Sequence, residues 1–313
     1  MRCVVTGAAG FIGSTLAESL AEAGHAVVAV DAFTPYYDPA RKRRNVERVA
    51  ASDGCTLVEA DLSADDLDGV LDGADVVLHL AAQPGVRPSW ADFPLYDRHN
   101  VAGTARLLEA MLRQPRPAKL VYTSSSSVYG ESSDTVMAPG SRTVPHSPYG
   151  VTKLAAEHLV IAYTSNFGLE SVLLRLFTVY GPRQRPDMAF SRFVTAARDG
   201  EPIPVYGTGE QTRDYTYVAD AVDAIIAAAT TPVAPGSVYN VAGGSTATVL
   251  DVAKHLGEIL GREVALAFET VAPGDVSWTS ADTSATSRDL GWRPRVPLVD
   301  GLARQVEWLA SQA

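Results

Sequence analysis

The opening of the chain constrains its fold more than any other segment. A short apolar, β-branched run, Cys3–Thr6, leads straight into Thr6-Gly7-Ala8-Ala9-Gly10-Phe11-Ile12-Gly13, and a helical pattern follows over Gly10–Ala23. Glycines at 7, 10 and 13 permit a tight turn, close approach of a ligand to the backbone, and close packing of helix on strand. The helix N-terminus then presents free N–H groups and the positive end of its dipole, which suits a pyrophosphate. Glycine patterns of this kind recur by chance; the strand before this one and the helix after it give it meaning.

The same alternation continues. Strands are predicted at Ala26–Val30, Thr56–Glu59, Asp75–Leu80 and Lys119–Ser124, with helices at about Pro39–Ala51, Ala64–Leu71 and Asn100–Gln114 between them. A further helix, Tyr149–Phe167, precedes a strand at Glu170–Leu176. Continuous apolar strands alternating with helices predict an α/β fold, a doubly wound parallel sheet covered on both faces. After Tyr180, proline and glycine become denser, as in Gly181–Pro186 and Pro202–Gly207, and shorter elements lead to a C-terminal helix at about Leu298–Leu309. The expected division is a nucleotide-binding domain over residues 1–180 and a smaller α/β substrate-binding part over 181–313. The boundary is soft, with some later segments returning to the main sheet.

Composition narrows the function classes. With 313 residues, 46% of them hydrophobic, the chain can bury a large core. A net charge of −10 argues against nucleic acid or an anionic membrane as a partner held by bulk charge. The two cysteines, Cys3 and Cys55, cannot staple a chain this long, and Cys3 reads as a core residue. The first residues run directly into a strand, where no leader peptide fits, and no apolar stretch approaches a membrane span; Ala221–Ala229 is short and carries Asp223. A soluble cytoplasmic protein without a metal site is expected.

Asp31 closes the second strand, roughly 20 residues beyond the glycine turn. A carboxylate there accepts hydrogen bonds from a ribose hydroxyl and repels a 2′-phosphate, which favours NAD over NADP; alternatively Asp31 is a loop acid that caps the next turn. The basic run Arg41-Lys42-Arg43-Arg44 reads as a solvated helix face, with a phosphate contact as the alternative. Asp61-Leu62 follows the third strand, where an acid can meet an adenine amino group; Asp61 also suits a helix cap.

Tyr149-Gly150-Val151-Thr152-Lys153 sets a phenol and an ammonium four residues apart at a helix start, on one face. A phenol titrates near ~10 and is a weak base at neutral pH. A nearby ammonium and a positive nicotinamide favour the phenolate, so that Tyr149 takes a hydroxyl proton while hydride leaves for NAD. The Ser124–Ser127 run at the end of the fifth strand supplies a hydroxyl for the same substrate oxygen.

Taken together, these residues resemble the extended short-chain dehydrogenase/reductase family, specifically its nucleotide-sugar epimerases and dehydratases, whose fold is of the Rossmann type. The likeness spans nearly the whole chain. It includes Leu80-Ala81-Ala82, Asn100-Val101-Ala102-Gly103-Thr104, the serine run, Arg175-Leu176-Phe177-Thr178-Val179-Tyr180-Gly181-Pro182, Gln211–Val218 and Gly274-Asp275-Val276. The resemblance implies that Ser125 is the catalytic hydroxyl, Tyr149 the base, and Lys153 the residue that tunes Tyr149 and holds the nicotinamide ribose. It also implies cofactor contacts at Gly7, Gly10, Phe11, Ile12, Gly13, Asp31, Asp61, Leu62, Leu80, Ala81, Ala82 and Asn100. Arg213 would meet the substrate pyrophosphate, or else pair with Asp214; Tyr206 would meet the base, or else pack in the core; Asp275 is a candidate for the nucleotide ribose. Many relatives carry an arginine three residues before that aspartate, where this chain has Ala272; Arg183 or Arg185 would then supply the missing phosphate contact.

Two departures bear on the reaction. The family's sugar 4,6-dehydratases carry Asp-Glu immediately after the catalytic hydroxyl, where this chain has Ser126 and Ser127, and UDP-glucuronate decarboxylases carry glutamate at the second of these positions. Without an added carboxylate the simplest chemistry is reversible oxidation at sugar C4, a 4-epimerisation in which NAD is recycled. UDP-glucose 4-epimerases usually have asparagine at the place of Thr178. The segments around Thr178, Arg185–Ala189, Gln83–Arg87 and Tyr36-Tyr37-Asp38 look most like UDP-glucuronate 4-epimerases. Oxidising C4 of a glucuronate makes a β-keto acid that readily loses CO2. Hydrogen bonds from Ser126, Ser127 and Thr178 to the carboxylate, each worth about 1.5–3 kcal/mol, would hold it near the carbonyl plane and suppress that loss; alternatively the serines only cap their loop. Arg87 reaches the substrate or covers surface. Epimerisation of a neutral UDP- or dTDP-hexose, decarboxylation, and an inactive NAD-sensing role remain as alternatives. Relatives pair two helices per subunit, here about Asn100–Gln114 and Tyr149–Phe167, which implies a homodimer.

Overall fold

The computed structural model describes residues 1–131, 136–270 and 273–312. Ala272 lies outside the described residues. The first half alternates β1 (Arg2–Thr6), α1 (Phe11–Glu22), β2 (Ala26–Asp31), α2 (Pro39–Ala50), β3 (Cys55–Glu59), α3 (Asp68–Leu71), β4 (Val76–His79), α4 (Phe93–Tyr96), α5 (Gly103–Arg113), β5 (Lys119–Ser125), α6 (Pro148–Phe167) and β6 (Ser171–Leu176). These strands and a later one, Ser237–Val241, form one seven-stranded sheet, parallel throughout, in the order β3-β2-β1-β4-β5-β6 with Ser237–Val241 at the far edge. The order reverses between β1 and β4. At such a switch point the loops leaving the strands part and open a crevice at their carboxyl ends.

Each face of the sheet has its own core, which is why the strands read as continuous apolar runs rather than alternating ones. Cys3 and Val5 pack on one side with Leu16 of α1 and Ile225 of the helix Val218–Thr230. Val4, between them, packs on the other side with Leu107 and Met111 of α5 and Val160 of α6. The later half builds a third core around Phe190, Val205, Tyr215 and Leu256. It carries three two-stranded pairings: Ile203–Tyr206 with Leu266–Glu269, Thr212–Asp214 with Thr246–Thr248, and Val179–Tyr180 with Thr216–Tyr217.

Two helices differ from the sequence reading. The helix predicted over Ala64–Leu71 shrinks to α3. Asp61 accepts from the Ser63 N–H at 2.8 Å and Asp65 from the Asp61 N–H at 2.8 Å, side-chain bonds that compete with helical pairing. The helix predicted to start at Asn100 begins earlier, with α4 running through a wider π-type turn at Asp97–Ala102 into α5. The start of α6 is set locally: Ser147 accepts from the Gly150 N–H at 3.1 Å, and Pro148 follows at the first helical position.

Candidate active site

A cleft of about 710 Å³ opens at the carboxyl ends of β1 to β6 and continues under the later half. At the β1 end the backbone is close enough to exclude any side chain. Gly7 sits at φ 69°, and a Cβ there would lie 2.8 Å from the Ala81 nitrogen; one on Gly13 would lie 2.1 Å from the Gly7 oxygen. Gly10 caps α1 without a side chain, so the first N–H groups of the helix stay open where Phe11, Ile12 and Gly13 line the cleft. Asp31 accepts from the Ala9 N–H at 3.0 Å and the Phe33 N–H at 2.8 Å, tying the glycine turn to the end of β2. Leu62, Leu80, Ala81 and Ala82 also line this end. Asp61 faces the cleft while bonded to Ser63 and Arg98. Burial acts against its charge, but those bonds outweigh it and hold the carboxyl below its usual range.

The basic run on α2 is not uniformly solvated. Lys42 turns inward with Val46 and Val49, lines the cleft, and places Nζ 3.8 Å from Asp31 and 3.2 Å from the Thr34 hydroxyl. Burial lowers its pKa, and Asp31 opposes that. Asn100, expected at the cofactor, lies outside the cleft lining. Its Oδ1 accepts from the Gln83 N–H at 2.7 Å, and its Nδ2 donates to the Gln83 carbonyl at 3.1 Å and to the Thr152 hydroxyl at 2.9 Å. It braces the segment after β4 to α6.

Ser125, Tyr149 and Lys153 all line the cleft, and the Ser125 hydroxyl and the Tyr149 phenol share a hydrogen bond. Burial raises the Tyr149 phenol above its ordinary range; a hydrogen bond with Ser125 and the Arg185 guanidinium act against that rise. Arg185, from a distant part of the chain, thus adds a cationic influence on the phenol. The Lys153 ammonium donates to the Thr123 carbonyl at 2.7 Å and lies 4.5 Å from the centre of the Tyr122 ring. Burial pushes it down to about 7, with Glu157 opposing.

Ser126, Ser127 and Thr178 line both the main cleft and an adjoining cavity of about 160 Å³. The Ser125 hydroxyl donates to that of Ser127 at 3.1 Å and accepts from the Ser127 N–H at 3.1 Å. Among the described residues, the Ser126 and Thr178 hydroxyls have no hydrogen-bond partner. Arg185 donates to Asp187 through Nε at 3.0 Å and Nη2 at 2.9 Å, and the Tyr36 hydroxyl donates to the same carboxylate at 3.3 Å. Arg87 donates to Asp275 at 2.7 Å, and its guanidinium carbon lies 3.6 Å from the centre of the Tyr206 ring, so three separate segments meet at one wall.

Two arginines lie elsewhere than expected. Arg213 lines the smaller cavity rather than the main cleft and donates to the Thr212 and Val276 carbonyls. It does not pair with Asp214, which accepts from the Gly244 N–H at 3.1 Å and the Ala281 N–H at 3.3 Å. Arg183 turns away to Glu18 at 2.5 Å, leaving Arg185 as the cleft arginine of that segment. The sequence reading missed Asp187 and Arg192 as cleft residues, and placed Lys42 in a run read first as solvated. For Lys42 a signal existed: positions 42, 46 and 49 share one helical face.

Residues 3–242 match the family model described as NAD dependent epimerase/dehydratase family. YtcB of Bacillus subtilis, described as an uncharacterized UDP-glucose epimerase, is 42% identical over 316 residues, 99% of this chain and 98% of the relative. The UDP-glucuronate 4-epimerase of Thermodesulfobacterium geofontis is 33% identical over 97% of this chain and 95% of its own. The crystal structure of UDP-glucuronic acid 4-epimerase from Bacillus cereus, in complex with UDP-glucuronic acid and NAD, superposes over 100% of both chains with a TM-score of 0.96 at 39% identity.

Proposed function

The chain belongs to the NAD dependent epimerase/dehydratase family, and from that membership we propose that it interconverts UDP-glucuronate and UDP-galacturonate through a transient 4-keto sugar. The observation that carries this reading is the sugar end of the cleft. Ser125 and Tyr149 stand ready to handle a hydroxyl proton, and the two positions that follow Ser125 carry hydroxyls rather than carboxylates.

The protein's own geometry fits NAD. The glycine cradle and the open N-terminus of α1 suit a pyrophosphate, and the Asp31 carboxylate suits an unphosphorylated ribose. Gly7, Gly10, Phe11, Ile12, Gly13, Asp31, Asp61, Leu62, Leu80, Ala81 and Ala82 would hold it, with Tyr149 and Lys153 at its reactive end. When bound, it supplies an acceptor and donor of hydride at sugar C4. Tyr149, as the phenolate that Arg185 and a positive nicotinamide would favour against its burial, takes the C4 hydroxyl proton and later returns it, while Ser125 hydrogen-bonds the same oxygen. Between the two transfers the 4-keto sugar turns its other face. Ser126, Ser127 and Thr178 hold its carboxylate near the carbonyl plane, so the bond to CO2 does not align with the π system. Arg87, Arg185, Tyr206, Arg213 and Asp275 bind the UDP portion. In this reading residues 1–180 mainly hold the cofactor and 181–313 the UDP-sugar.

We also propose a cytoplasmic homodimer paired through α5 and α6. Exposed Val151 and Phe167 and half-buried Leu159 and Ile161 on α6 support the pairing, and the free thiols Cys3 and Cys55 suit a reducing compartment. Among the described residues, no helix is long and apolar enough to cross a membrane. The net charge of −10 supports the absence of a nucleic-acid partner. A monomeric mass in solution scattering would remove the dimer.

A second reading, 4-epimerisation of a neutral UDP-hexose, draws on the likeness to YtcB. The test is to incubate the purified protein with UDP-glucuronate and, separately, UDP-glucose, and to resolve the products while trapping CO2. UDP-galacturonate without CO2 is expected. Turnover of UDP-glucose alone would move the assignment to the second reading, and UDP-pentose with CO2 would make the enzyme a decarboxylase. No turnover even with added NAD would leave an inactive NAD-binding protein.

A further inference from the structure

We propose that the buried Glu157–Arg175 ion pair is a positioning element for the reaction, fixing the helix of Tyr149 and Lys153 against the turn of Ser125 and setting a carboxylate one helical turn beyond Lys153. The inference rests on the epimerase reading. Glu157 lies on α6, four residues after Lys153, and Arg175 lies on β6, opposite Ser124 of β5 in the sheet register. Their side chains are 2% and 7% exposed. The pair is bidentate: Nε donates to Oε1 at 3.0 Å and Nη2 to Oε2 at 2.7 Å. The remaining nitrogen, Nη1, donates to the Tyr129 hydroxyl at 2.9 Å and the Pro139 carbonyl at 3.0 Å. Tyr129 ends the turn that starts at Ser125, and its hydroxyl donates to Asn240 of the edge strand at 2.7 Å. One guanidinium therefore joins the catalytic helix, the serine turn and the sheet.

Stability alone does not account for such a pair. Two buried charges give up their hydration, and apolar residues of the same volume commonly do as well or better. The carboxylate has a second effect. The groups that act on Lys153 are Glu157 on its own helix, Tyr122 and the Thr123 carbonyl on β5, and His79 on β4. Burial pushes His79 down to about 3, with the Lys153 charge adding to the effect, so the imidazole is neutral. Glu157 is left as the anion that opposes the burial of Lys153. Removing its charge lowers the Lys153 pKa, so the ammonium is lost at lower pH than in the wild type.

The experiment compares kcat and KM for UDP-glucuronate against pH in the wild type, Glu157→Gln, Glu157→Asp and the double variant Glu157→Gln/Arg175→Gln, which leaves no unpaired buried charge. Both neutral variants should fold, lose kcat more than KM, and show an alkaline limb of kcat moved down by roughly one pH unit or more. Glu157→Asp keeps the charge and should keep the wild-type limb. A double variant with wild-type kcat and limb would overturn the proposal, as would an aspartate variant that shifts like glutamine. Failure of both neutral variants to fold would make the pair a structural brace only and would also overturn it. Absence of wild-type turnover would instead sink the epimerase reading.

Discussion

Replacing Thr178 with valine exchanges one hydroxyl for a methyl of similar size at the place where the substrate carboxylate is proposed to sit. The side chain lines both the main cleft and the cavity beside Ser126 and Ser127, and its hydroxyl has no partner among the described residues. The bond from the Thr216 N–H goes to the Thr178 backbone carbonyl, at 3.0 Å, and is untouched by the change. Stability should therefore stay close to wild type. A hydroxyl bonded to a carboxylate is worth about 1.5–3 kcal/mol. If that restraint is what keeps the C–C bond out of line with the keto group, its loss raises the ratio of decarboxylation to epimerisation roughly ten- to a hundred-and-fifty-fold. Sharing of the load with Ser126 and Ser127 puts the expected value toward the lower end. The assay resolves UDP-galacturonate from UDP-pentose, traps CO2, and reports their ratio beside a melting curve. An unchanged ratio in a folded, epimerising variant would mean that the Thr178 hydroxyl does not restrain the carboxylate.

Four further outcomes follow from the geometry. Gly13→Ala drives a Cβ to 2.1 Å from the Gly7 carbonyl oxygen, so it should cost about 1–3 kcal/mol in the melting curve and strip NAD during purification. Tyr149→Phe should lower turnover by about 10²–10⁴-fold with UDP-sugar binding by calorimetry retained. Asp31→Ala removes the carboxylate that repels a 2′-phosphate and leaves Lys42 in place, so the NAD-over-NADP preference should shrink in paired binding titrations. Burial raises Asp214 from 3.8 to about 6 despite the N–H groups bonded to it. The folded state thus holds an extra proton between those values, and the corresponding stability, of order 3 kcal/mol, is present below about pH 4 and lost as pH rises through about 6. The melting-temperature advantage of wild type over Asp214→Asn should therefore shrink from pH 4 to pH 7; a constant or growing difference would contradict it.

The glycine turn, the place of Asp31 at the end of a strand and the strand–helix alternation of the first half were legible because each is decided locally or by a simple period. A Cβ either fits against the Gly7 carbonyl or it does not, and continuous apolar strands demand cover on both faces. Residues whose orientation depends on a distant partner were not. Asn100 stands in a segment associated with the cofactor, yet Gln83 and Thr152 occupy its amide. Arg183 and Arg185 are equivalent on paper; Glu18, far upstream, draws one away, while Asp187 holds the other in the cleft. Lys42 looked like part of a solvated run because charge suggested the outer face, but its spacing to Val46 and Val49 places it inside. Tyr149 and Lys153 were found by spacing, but the influence of Arg185 on the phenol was not, since it comes from another part of the chain.

In the proposed reaction hydride leaves and returns to sugar C4 within one site. UDP-glucuronate deuterated at C4, incubated with the purified protein and an excess of unlabelled NADH in ordinary water, tests it directly. The expected product is UDP-galacturonate that retains deuterium at C4 on the inverted face. Product that carries hydrogen at C4 instead would contradict it.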